Sequence, residues 1–233
     1  MSASYLDVPV FAGQGTEAAD SLRTHEQALH DATSPSGALL LASCFDAFHQ
    51  ELSALSLPEI ELSRIDRADF SSPKDIISSL PQHSNNPIIS STKLFMFQSL
   101  RYLGHLESLN NSPSRFTDAM KANASRNLGV LGFSSGILVA CVVAASQNTL
   151  MYITISVEAF RLAFWIGVRT QDYRMTVLGD GEECLPWSVV LLGTNRKDAD
   201  TAIEAFRHKV RGASRRSLRY LTIFLRRILM HRP

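Results

Sequence analysis

Gly132-Phe133-Ser134-Ser135-Gly136 places a serine between two glycines, with an apolar run (Leu128–Phe133) before it and a stretch of small residues (Ser135–Ala145) after it. This is a G-x-S-x-G pattern in the context that a nucleophile elbow requires, a strand that turns sharply into a helix. The turn brings the chain so close to itself that side chains two positions before and after the serine must be absent. The chemistry it serves is nucleophilic acyl transfer. Ser134 would present its hydroxyl at a helix N-terminus, and the backbone N–H of Ser135 would face the developing oxyanion. Gly13-Gln14-Gly15 follows a second short apolar run, Val8–Phe11. There the Gln14 amide and backbone N–H groups could supply the other half of an oxyanion hole. Read singly, each motif also fits a plain tight turn.

The elements needed to position these residues can be traced along the chain. Val8–Phe11 and Leu128–Phe133 read as strands, the second of them buried. Thr16 or a neighbour caps a helix running to about His30. Ala38–Leu55 has the apolar spacing of a buried amphipathic helix. Leu57–Asn86 is rich in Ser, Pro and Asp and reads as irregular linker with one helical turn near Pro73–Leu80. Pro87–Leu109 regains helical periodicity, with Leu94, Phe97, Leu100 and Leu103 at core positions. A short helix is expected in Arg115–Ser125, a helix of small residues over Ser135–Ala145 and a long one over Thr154–Gln171. Pro186–Gly193 is a further β run, followed by a helix over Asp198–Lys209. The alternation predicts an α/β fold with a mostly parallel sheet.

Of the 23 Lys and Arg in these 233 residues, nine lie in Ala205–Pro233, which holds none of the 22 acids. The body is therefore acidic and the tail basic. With 45% hydrophobic residues, the chain can bury a core. Three widely spaced cysteines (Cys44, Cys141, Cys184) suggest neither a disulfide framework nor a metal knuckle, so no metal site is expected. The N-terminus lacks the pattern of a secretory signal, and Gly136–Ala145 is too short to span a bilayer. A cytoplasmic location is expected.

Ser4–Thr16 (SYLDVPVFAGQGT), Leu39–Leu55, Val130–Ser146, Val157–Gln171 and Leu185–Gly193 together resemble the starter-unit acyltransferase domain of fungal non-reducing polyketide synthases, of the basidiomycete orsellinic-acid-synthase type. The likeness extends over residues 4–209. It implies an acyl-carrier-protein transacylase-like fold, in which an α/β-hydrolase-like large subdomain carries a small ferredoxin-like one. Residues 1–180 would be part of the large subdomain and 185–209 the start of the small one, incomplete here. The basic tail, 210–233, departs from the family. The resemblance implies transfer of an acyl group from acyl-CoA through a Ser134 acyl-enzyme to the phosphopantetheine thiol of an acyl carrier protein domain, with no bound cofactor. Gln14 and Ser135 would form the oxyanion hole, and Phe133, Trp165 and Arg169 would border the acyl pocket.

Many relatives carry cysteine where Ser134 stands. The family's catalytic histidine comes from farther downstream, and none of the seven histidines (25, 30, 49, 83, 105, 208, 231) occupies that context. His105 is expected to be structural and His208 a surface residue. The chain is thus a transacylase with no identifiable base or, alternatively, a non-catalytic carrier-binding module or remnant. A lipase-like hydrolase lacks a downstream Asp and His in order. Arg161 and Arg169 read as solvated charges, which suits an uncharged starter such as acetyl. In the tail, Leu218, Leu221, Leu225 and Ile228 form an apolar stripe among arginines. Neither nucleic-acid binding nor membrane contact is expected of it.

Overall fold

The computed structural model describes residues 8–13, 21–78, 83, 86–110, 129–178, and 197, 200, 201 and 204. Residues 1–171 form one compact unit and 172–233 a second. The elements of the first, in chain order, are β1 (Val10–Phe11), α1 (Ser21–Asp31), α2 (Pro35–Ala54), α3 (Leu57–Ser63), a 3-10 turn (Arg67–Asp69), α4 (Pro73–Ile77), α5 (Pro87–Asn110), β2 (Leu131–Gly132), a 3-10 turn (Ser134–Gly136), α6 (Ile137–Ala145) and α7, which begins at Thr149 and runs to Leu178. Among the described residues, the expected α/β character is present as a parallel two-stranded sheet in a mostly helical body. In the second unit, Asp200, Thr201 and Glu204, on the segment expected to form a helix, are helical, as is Lys197 just before it. Thr16, the Arg115–Ser125 helix, the Pro186–Gly193 strand and the basic tail lie outside the described residues.

Local chemistry starts several of these helices. Ser34 caps α2 by accepting from the Gly37 N–H at 3.0 Å, with Pro35 at the first helical position. Asn86 starts α5 in the same way, its Oδ1 accepting from Ile88 N at 3.0 Å, while its Nδ2 donates to the Ser63 carbonyl at 2.7 Å. The Leu57–Asn86 segment is therefore more ordered than its composition suggests. Several serines and acids in it or at its edge form capping pairs: Ser56 N donates to Glu59 Oε2 at 2.9 Å, and Ser72 N donates to Asp75 Oδ2 at 2.6 Å. Phe70, Ile76 and Ile77 from this stretch are fully buried.

The core is organised around α5, which is buried on most sides. The expected Leu94, Phe97, Leu100 and Leu103 are all buried. Helices α1, α2, α4 and α6 pack against α5. Helix α7 joins them through Phe160 against Phe95 at 6.3 Å, Tyr152 against Tyr102 at 5.7 Å and Phe164 against Phe48 at 5.7 Å, measured between ring centres. Thr149–Met175 is long and apolar enough to cross a membrane. Its buried Tyr152, Phe160, Phe164 and Val168 are the residues that meet this core.

The second strand departs from expectation. Among the described residues of that run only Leu131–Gly132 is strand, and Leu131 and Phe133 are more than half exposed. Side chains alternate across a sheet. Phe11 faces the core at 7% exposure, edge-on to Tyr102, whereas Val10, Leu131 and Phe133 face outward.

Candidate active site

The sheet register sets the site. Val10 pairs with Leu131 and Phe11 with Gly132 in parallel. Leu131 N donates to the Pro9 carbonyl at 3.0 Å and Phe133 N to the Phe11 carbonyl at 2.9 Å. Parallel pairing brings the carboxyl ends of both strands to one edge, so Gly13 and Ser134 emerge side by side. A Cβ built on Gly13 would lie 2.6 Å from Ser134 Cβ and 3.3 Å from its Oγ.

Ser134 itself has φ +52°, shared among described non-glycine residues only by Arg64. A residue with a side chain reaches this left-handed region at a cost of about 1–3 kcal/mol, and the surrounding structure must enforce it. Two contacts do so. A Cβ on Gly132 would lie 2.6 Å from the Ile137 Cα, and one on Gly136 would lie 2.4 Å from the Phe11 carbonyl oxygen. Both flanking glycines are needed for the turn to close over the end of β1. Gly136 N then donates to the Phe133 carbonyl at 2.9 Å, and α6 begins. The result is an exposed serine on a strained strand-to-helix turn, as the motif predicts. The first amides of the turn have no acceptor within the helix.

Ser135 follows directly, its Oγ buried and without a partner among the described residues. Phe133, beside the serine, is 59% exposed. Gln14 lies outside the described residues. The adjoining backbone is anchored instead by Gln98 of α5, whose Nε2 donates to the Ala12 carbonyl at 2.6 Å. Sequence reasoning missed Gln98. The available signal was a glutamine inside the apolar stretch Leu94-Phe95-Met96-Phe97 and Leu100.

Trp165 and Arg169 have their partners on α2 and α3. Trp165 Nε1 donates to Glu51 Oε2 at 2.8 Å, and the Arg169 guanidinium lies 5.7 Å over the indole and 3.3 Å from Glu59 Oε1. Arg161 pairs with Glu51 and also donates to Gln50. The expectation of solvated arginines is corrected for Arg161, which is held by Glu51 and Gln50 of α2 and by Glu158 of its own helix. Arg169 remains 65% exposed.

Among the described residues no histidine hydrogen-bonds Ser134. His49 Nε2 is 3.0 Å from the Phe70 carbonyl, and His83 is buried with Nε2 2.8 Å from Asp69 Oδ2. His105 is exposed, contrary to its expected structural role, because it falls on the outer face of α5. Cys44 is no alternative nucleophile, since burial pushes its thiol well above the usual range.

Residues 9–219 match the family described as "Starter unit:ACP transacylase in aflatoxin biosynthesis". The chain belongs to this transacylase family. It is 44% identical over 207 residues to "Orsellinic acid synthase ArmB" of Armillaria ostoyae, covering 86% of this chain and 9% of that protein. It is 43% identical over 213 residues to the orsellinic acid synthase armB of Armillaria mellea, covering 89% of this chain and 10% of the relative. The orsellinic acid synthase of Beauveria bassiana is 33% identical over 199 residues, covering 82% and 8%. The chain thus spans about a tenth of the length of these relatives. No solved structure matches it. The resemblance drawn from the sequence motifs holds, and in this chain the elbow serine and the glycine end of β1 meet at one sheet edge.

Proposed function

We propose that this transacylase loads a starter acyl group for polyketide assembly through a covalent ester on Ser134. Ser134 Oγ attacks the carbonyl carbon of an acyl-CoA thioester. The C–O bond forms, the C–S bond breaks, and the serine proton goes to the departing coenzyme A thiol. The phosphopantetheine thiol of a carrier domain then attacks the ester, re-forming a thioester and returning a proton to Ser134. The observation that carries this reading is the φ of +52° at Ser134, at the carboxyl end of β2 and against Gly13. The Ser135 N–H and the Gln14 loop are assigned to the oxyanion. An uncharged acyl group such as acetyl suits the site, because Arg161 and Arg169, the α7 arginines that could have met a free carboxylate, are already paired with Glu51 and Glu59.

A second reading is favoured by one observation, that no described histidine pairs with Ser134. In it the domain binds the carrier without reacting. Loss of a general base costs about 10²- to 10⁴-fold, so this chain alone is expected to be a poor transacylase. Transfer of radiolabelled acetyl from coenzyme A to a carrier domain separates the readings. Slow label on Ser134, absent in Ser134→Ala, supports acyl transfer. Carrier binding with no label on either protein supports the binding module.

A further inference from the structure

Gln98 lies in α5 between buried Phe97 and Ser99, and its amide reaches across the helix–sheet junction to β1. We propose that Gln98 is a positioning residue that holds the Ala12–Gly13 end of β1 against Ser134, so that acylation can occur. The inference rests on the acyl-transfer reading above.

A carbonyl oxygen can only accept, so the nitrogen end of the Gln98 amide must face Ala12. That orientation sends Oε1 the other way, where it is buried without a partner among the described residues. An orphaned buried acceptor costs about 1–3 kcal/mol; an apolar side chain of similar shape would avoid that cost but would leave the Ala12 carbonyl without its donor. The two effects oppose each other, so stability alone gives no strong reason for a glutamine at this position. Placement of the Ala12 carbonyl does.

That carbonyl is wedged between Gln98 and the elbow. A Cβ on Gly136 would lie 2.6 Å from the Ala12 oxygen. The next residue, Gly13, is the one that meets Ser134, and α5 also packs directly on the Ser134–Gly136 turn. Through one hydrogen bond, α5 thus sets the spacing between the two strand ends that frame the serine. The bond links residues 86 apart in sequence, so no local turn can substitute for it.

The test compares wild type, Gln98→Met and Gln98→Glu. Acylation of Ser134 by acetyl-CoA is followed by intact mass, and hydrogen exchange is followed in peptides covering Ala12–Gly13 and Phe133–Ser134. Gln98→Met is expected to lose at least about tenfold in the rate at saturating acetyl-CoA, with KM and melting temperature little changed, because misplacement by about 1 Å can cost about 10²-fold. In Gln98→Glu an ionised carboxylate cannot donate to Ala12 and a protonated one can. Its deficit relative to wild type should shrink as pH falls from about 8 to about 5, whereas the methionine deficit stays flat. A Gln98→Met enzyme as fast as wild type, a loss that tracks melting temperature, or a pH-independent glutamate deficit would each overturn the proposal. If the wild type takes up no acetyl, the acyl-transfer reading fails, and the exchange data alone decide the role of Gln98. Faster exchange at Ala12–Gly13 in both variants, recovered in Gln98→Glu at low pH, supports it, and unchanged exchange sinks it.

Discussion

Gly13 and Ser134 touch: a methyl group on the glycine would begin 2.6 Å from the serine's Cβ, inside van der Waals contact. The first strand therefore ends with its backbone laid against the nucleophile, and residue 13 has no room for any side chain.

Gly13→Ala should displace one strand end from the other. Overpacking of this kind costs about 1–3 kcal/mol. The expected outcome is a lower denaturant midpoint together with loss of acetyl label on Ser134. Wild-type labelling in Gly13→Ala would mean that the two strand ends need not meet for reaction.

Ser134→Ala and Ser134→Gly should differ in stability, although both remove the hydroxyl. Alanine keeps a side chain at φ +52° and so keeps the strain, whereas glycine releases it. The glycine variant should be the more stable of the two by about 1 kcal/mol in denaturant unfolding. The reverse order would show that the elbow is not strained in solution.

Glu51→Ala and Arg169→Ala probe two ends of the same helix contact with opposite expectations. Glu51 holds both Arg161 and the Trp165 indole in a part-buried setting, so its loss should cost about 1.5–3 kcal/mol, with Glu158 still beside Arg161. Arg169 is mostly exposed, and its pair with Glu59 should be worth less than about 1 kcal/mol. Thermal melts of the two variants check the ranking.

The Glu59 carboxyl is held below its usual range, first by the Ser56 N–H, then by the Ser56 hydroxyl, with Arg169 adding a smaller pull. A depressed carboxylate stabilises above its unfolded value of about 4.3, and that contribution is lost as pH falls through the folded value. Glu59→Gln should therefore melt below wild type near neutral pH, and the gap should close in acid. A gap that stays constant as the pH is lowered would locate the effect elsewhere.

The nucleophile turn was legible because its geometry depends on residue type. Only glycines fit at 132 and 136, and a short sequence can display that requirement. Helices α2 and α5 were legible through apolar spacing. The Leu57–Asn86 segment was misread because serine, proline and acid serve loops and helix starts alike, and Ser56 with Glu59 is a capping pair. The exposure of Leu131 and Phe133 was hidden because an apolar run does not say which face of a strand is covered. Gln98 and the Glu51 network were illegible for a different reason. Their meaning lies in partners far along the chain, Ala12 for one and Arg161 for the other.

The pairing of Val10 with Leu131 also bears on folding order. Helices such as α2 and α5 close through local contacts, but the two strands can join only after the intervening chain has been gathered, and closing a long loop is entropically slow. During synthesis β1 leaves the ribosome long before β2 exists. The elbow is thus expected to be among the last features to set. A serine-directed probe would report completion of the native state, where circular dichroism, dominated by helices, would register an earlier stage.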